Sequence, residues 1–144
     1  MIQYSVSERL EYEEYYNFLK RTDLGSQYPN EDLEKRIKKL LKNCSLSITA
    51  RNEDNLLIGI CFGLTDFSYF LFVTDLGVDR DYVGEGIGSK LMKLLVEEAG
   101  GEDAITVVTV SNEEAYDFYQ KIGLKRSDCL FWKCCNDWTE HVIE

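Results

Sequence analysis

The sequence holds a single histidine, His141, and a single proline, Pro29. A lone histidine three residues before the last reads as a surface residue and not a catalytic one. No apolar run is long enough to span a bilayer, and MIQYSVSERLEYEE lacks the charge and apolar pattern of a signal peptide. The expected place is therefore the cytoplasm. The five cysteines, Cys44, Cys61, Cys129, Cys134 and Cys135, are odd in number and form no C-x-x-C. That excludes a disulfide framework and a zinc site, so no metal is expected and the thiols read as reduced. Basic residues are also short: 16 against 26 acidic ones, a formal charge of −10. Nucleic acid and anionic membrane both demand a cationic face and are excluded as partners. A cationic amine is not.

What is present suits one domain over residues 1–144, with 44% apolar residues to build a core. IQYSV alternates as a strand, and Ser5 with Glu8 fits a capping box for a following helix. Tyr12, Tyr15, Tyr16 and Leu19 lie on one helical face. TDLGSQYPN is a break. Asn30 can then cap a second helix, EDLEKRIKKLLKN, with Leu33, Ile37, Leu40 and Leu41 inward. CSLSITAR and LLIGICFGL form a hairpin, and YFLFVTDLGV adds a third strand. A helix follows, marked by Ile87, Leu91, Leu94 and Leu95, and stops at Gly100-Gly101. AITVVTV is a strand, NEEAYDFYQKIG a helix, CLFWKCC a strand and WTEHVIE a candidate last one. The order β-α-α-β-β-β-α-β-α-β(-β) predicts one layered α/β domain, with a right-handed parallel crossover into AITVVTV.

DYVGEGIGSK places glycine at 84, 86 and 88, between a strand and a helix. The spacing fails the dinucleotide fingerprint, because Ser89 or Leu91 stands where the third glycine belongs. It also fails the P-loop, because Gly88 is followed by Ser-Lys. What remains is a G-x-G-x-G turn at a helix N-terminus. Amides from Gly84, Glu85, Gly86, Ile87, Gly88 and Ser89 can converge there, and the helix dipole adds positive potential. A tight junction with nothing bound accounts for one glycine. Three in alternation favour an anion site, with pyrophosphate as its guest.

A second stretch, NEEAYDFYQKIGL, sets Asn112, Ala115, Phe118, Tyr119, Gly123 and Leu124 in fixed register. LGVDRDYVGEGIGSKLM followed by this stretch resembles the two signature motifs of the GNAT superfamily of acyl-CoA-dependent N-acetyltransferases. The resemblance covers nearly the whole chain. It departs at Val83, where the family usually carries Arg or Gln, and at Leu124, where phenylalanine is commoner.

The resemblance implies a GNAT-like α/β (α+β) fold: a mixed, mostly antiparallel twisted sheet flanked by helices, with one splayed parallel strand pair. It implies acetyl-CoA as cosubstrate, held by Val83 to Ser89, by backbone groups of Leu76 and Val78, and by Asn112 and Tyr119. A bulge near Asp75–Gly77 would produce the splay. Tyr119 would be the general acid for the departing thiolate, and Asp75 the general base, with Asp66 a weaker second. Tyr28 and Asp75 would face the acceptor. The implied activity is direct acetyl transfer to a primary amine of a small molecule. The alternatives are a protein N-terminal or lysine acetyltransferase and a CoA-holding module without turnover. A homodimer is compatible with the family.

Overall fold

A computed structural model describes residues 1–144. Its strands are β1 (Gln3–Ser5), β2 (Leu46–Arg51), β3 (Leu57–Thr65), β4 (Phe70–Val78) and β5 (Thr106–Thr109). Its helices are α1 (Tyr12–Leu19), α2 (Leu33–Asn43), α3 (Ile87–Ala99) and α4 (Tyr116–Lys121). The sheet order is β1-β2-β3-β4-β5. The first three pairings are antiparallel, and β4 with β5 is parallel, from Phe70 opposite Thr106 to Val73 opposite Thr109. This is the expected mixed α/β sheet, with α3 as the crossover. No helix is long and apolar enough to cross a membrane.

Each sheet face has its own core. On one face Ile48, Cys61, Leu71 and Val73 pack against Leu91 and Leu95 of α3. On the other, Ile60 and Phe62 pack against Tyr15, Phe18, Ile37 and Leu41 of α1 and α2. α3 lies close: a Cβ on Gly59 would sit 3.0 Å from Leu91 Cδ1. Arg51 ties β2 to Glu14 of α1 at 2.8 Å and to Glu8, ahead of that helix, at 3.1 Å.

Local details depart from the sequence reading. Ser5 Oγ does accept from the Glu8 amide at 3.0 Å, but α1 starts only at Tyr12. The Glu8 carboxylate is drawn to Thr49 and Arg51 across the sheet instead. Asn30 does not cap α2. Asp32 stands at that position in a left-handed conformation, and the Asn30 amide donates to Thr139 O at 3.2 Å.

CLFWKCC and WTEHVIE form no strand. A strand needs a ladder partner as well as an apolar pattern, and β5 pairs on one side only. Residues 129–135 are exposed, Phe131 at 98%. The segment beyond them is fastened differently. The Ile143 amide donates to Gly25 O at 2.9 Å, and the Ile143 side chain is buried beside Leu19 and Ile37.

Candidate active site

The site is made by an irregularity in β4. Asp75 pairs with Phe62 and Val73 with Gly63, so Thr74 is one residue too many. A strand alternates faces with period two, and a bulge reverses the phase. Before Thr74 the odd residues Leu71 and Val73 face α3. After it, Leu76 and Val78 take that side, and Asp75 and Gly77 turn toward α1. A Cβ on Gly77 would meet Leu24 and Phe18. The expected bulge is therefore present, one residue ahead of the Asp75–Gly77 stretch.

The β4–β5 ladder ends at Val73 and Thr109. Beyond it a cleft of about 320 Å³ opens between the diverging ends of the two strands. One wall is Thr74 to Val78 with Val83, and the other is Thr109 to Asn112 with Glu114, Ala115 and Tyr119. Asp23, Leu24 and Gln27 close the end beside Asp75. The structure thus brings Asp75, Leu76, Val78, Val83, Asn112 and Tyr119 into one cleft. Tyr28 stands directly behind it, bonded to Asp75.

The three glycines of the loop do different work. Gly84 and Gly86 have φ of 84° and 82°, a region that side chains rarely adopt. Gly88 packs closely under α4: a Cβ there would lie 3.3 Å from the Phe118 ring, which would have to give by a few tenths of an ångström. The first intrahelical bond at the start of α3 runs from the Lys90 amide to Gly86 O, at 3.1 Å. The amides of Ile87, Gly88 and Ser89 are thus left open, and no side chain caps them. Backbone without a Cβ in the way and unspent donors at a helix N-terminus fit an anionic phosphate group. The Ile87 side chain is buried in the core, so only its amide faces outward. Val83 is 63% exposed beside the loop, and its side chain offers no donor.

The base of this loop is anchored. Asp79, buried, receives Arg21, and the Asp79 amide donates to Ile58 O at 2.8 Å. Arg80 Nε donates to Asp23 at 2.9 Å. These ties join the glycine loop to the segment around Arg21 and Asp23.

Asp75 is 2% exposed. Its Oδ1 accepts from Gln27 Nε2 at 2.6 Å and from the Tyr28 hydroxyl. Its Oδ2 accepts from Thr74 Oγ1 at 2.7 Å. Burial pushes the carboxyl above the usual carboxylate range, against the pull of the Tyr28 and Thr74 donors. A carboxylate raised in this way is a better proton acceptor than an ordinary one. Burial also raises the Tyr119 hydroxyl, opposed by the neighbouring Thr109. Tyr119 therefore keeps its proton near neutrality.

Of Asn112 and Asp66, only the first lies at the cleft. Asn112 precedes the Glu113–Ala115 turn but makes no side-chain cap bond. Its exposed side chain lines the cleft instead. Asp66 is not in the cleft. It is exposed, and its Oδ1 accepts the amides of Ser68, Tyr69 and Phe70 at 2.8–3.0 Å, which closes the β3–β4 turn. Sequence reasoning missed Thr74, Gln27 and the position of Tyr15. Only the turn-rich TDLGSQYPN hinted at Gln27, and nothing local marked Thr74.

Residues 9–124 match the model of the acetyltransferase (GNAT) family, and the chain belongs to that family. It is similar to a GNAT-family acetyltransferase from Streptococcus pneumoniae, with a TM-score of 0.71 and 25% identity over 94% of this chain and 98% of that one. An acetyltransferase from Clostridium acetobutylicum, solved with acetyl-CoA, shares the fold at a TM-score of 0.70 and 20% identity, covering 93% of this chain and 96% of that one. Among curated relatives, an N-acetyltransferase of Gracilaria tenuistipitata var. liui is 26% identical over 51% of this chain. The chain spans 40% of that relative's length and less of the next two.

Proposed function

We propose that the protein is an N-acetyltransferase that moves the acetyl group of acetyl-CoA directly to a primary amine of a small molecule. One observation carries this reading. The parting ends of β4 and β5, Asp75 and Tyr119 line a single cleft, and the glycine loop with its open amides follows directly on Val83 at the cleft's edge without lining it. Acetyl-CoA, when bound, supplies the activated acyl carbon. The amides of Gly84 to Ser89 hold its pyrophosphate, and Leu76 and Val78 face its pantetheine arm. Asp75 receives the amine's proton. Tyr119 donates a hydrogen bond to the sulfur that leaves.

The cleft also supports a cationic acceptor. Asp23, Asp75 and Glu114 line it, and no lysine or arginine does. An acceptor carrying a carboxylate would meet no counter-charge there.

The test is a thermal-shift series with acetyl-CoA, CoA, NAD and ATP, followed by thiol release over a panel of amines and lysine peptides. Stabilisation by both CoA ligands and turnover on small cationic amines is expected. Stabilisation by NAD or ATP alone defeats the reading. Turnover only on peptides moves the acceptor class to proteins.

Exposed Val83 favours one second reading, a CoA-holding module with slow turnover. A guanidinium at this position would add a charge-assisted bond to pyrophosphate. Val83→Arg is therefore expected to tighten CoA binding by about tenfold in calorimetry. An unchanged affinity would mean that the loop amides already suffice.

A further inference from the structure

We propose that Tyr28, oriented by Tyr15, is a positioning residue for acetyl transfer: it occupies Oδ1 of Asp75 and leaves Oδ2 as the oxygen that receives the acceptor's proton. The proposal rests on the reading of Asp75 as the base. It follows from donor accounting. An ionised carboxylate only accepts, at about four lone-pair sites. Oδ1 already holds Gln27 and Tyr28, and Oδ2 holds only Thr74. The single unused site is on Oδ2.

The direction of the chain behind Oδ1 is also fixed. Tyr28 has one hydroxyl proton, and it goes to the carboxylate. The contact of 2.7 Å between Tyr15 and Tyr28 hydroxyls must then be Tyr15 donating. Tyr15 is fully buried, and its ring is held by Phe18 and Phe62 at centroid distances of 6.1 and 5.4 Å. The hydroxyl row therefore starts at a rigid core residue and ends at the catalytic oxygen pair. Polar satisfaction alone does not require this row. A water or a second amide at Oδ1 would satisfy Asp75 equally well.

The other titratable groups around Asp75 compete weakly for its proton. Cys61 on β3 and Cys44 ahead of β2 are both pushed up by burial, and the Asp75 charge adds to that. They stay protonated thiols. Burial also raises Tyr15 and Tyr28 well above the ordinary range, so both remain donors. Asp23 and Glu114 share the cleft but make no hydrogen bond to Asp75.

The test needs no acceptor. The full chain is labelled with carboxyl-¹³C aspartate, the Asp75 resonance is assigned by its loss in Asp75→Asn, and its titration midpoint is followed. Tyr28→Phe removes a donor to the charged form, so the midpoint should rise by about one pH unit. Tyr15→Phe keeps the bond from Tyr28 and should shift it by clearly less. If the single Tyr28→Phe variant unfolds because Tyr15 loses its partner, the Tyr15→Phe/Tyr28→Phe double variant strands no hydroxyl and carries the same expectation. An unmoved midpoint overturns the proposal, whatever the activity. A moved midpoint with normal turnover by Asp75→Asn overturns the base assignment instead and reduces Tyr28 to a structural ligand. When the midpoint moves and turnover depends on Asp75, the acid limb of kcat/KM should move up with it, with KM little changed.

Discussion

Asp75→Asn is expected to lower kcat/KM for amine acetylation near neutral pH by about 10²- to 10⁴-fold. The substitution keeps the shape of the side chain and leaves an oxygen for Gln27 and Tyr28. It removes the group that takes the ammonium proton. Stability should not fall with it. The folded-state carboxyl is raised by burial, so the folded chain holds this proton more tightly than the unfolded one. Such an acid loses stability as pH rises from the unfolded pKa, about 3.9, through the folded one. At neutral pH the charged form is therefore a cost that Asn does not carry, and the variant should melt no lower than wild type. The defect should shrink as pH approaches the amine's own pKa, about 10 for an alkylamine like lysine, because solvent then supplies the free base. A pH profile of kcat/KM for both proteins checks all of this. Wild-type activity at neutral pH would show that water, and not Asp75, takes the proton.

That expectation depends on a bulge that the family resemblance implied but the strand's own alternation does not show. Counting by twos along YFLFVTDLGV puts Asp75 on the same face as Leu71 and Val73, against α3. The extra residue at Thr74 turns it toward α1 and Tyr28. A bulge depends on how two strands meet and not on the composition of either. Asp75 was legible as a candidate from its place near a strand end. Its partners were not, because Gln27 and Tyr28 reach it from 48 and 47 residues away.

The glycine loop was legible because its chemistry is local. Left-handed φ at Gly84 and Gly86 calls for glycine directly, and close packing at Gly88 favours it. The same rule explains where the reading failed. CLFWKCC has strand composition, but strand formation is a property of a pair, and β5 offers it no partner here.

Tyr119→Phe is the second large effect, expected to lower kcat by about 10²-fold while leaving acetyl-CoA affinity within about twofold. The ring packs against Phe118 with centroids 5.2 Å apart and would keep that contact as phenylalanine. Only the hydroxyl is lost. Its role follows from relative proton affinities. A cysteine-like thiol has a pKa of about 8.5, and burial raises Tyr119 above the ordinary tyrosine value of 10.0. Full transfer to the thiolate is uphill, so the hydroxyl acts chiefly by donating a hydrogen bond as negative charge gathers on sulfur. That interaction is stronger in the transition state than in the ground state, and for this reason its loss should fall on kcat and not on binding. Single-turnover rates with acetyl-CoA, measured beside equilibrium binding, separate the two. A variant that binds less tightly but turns over at the wild-type rate would make Tyr119 a cofactor contact and nothing more.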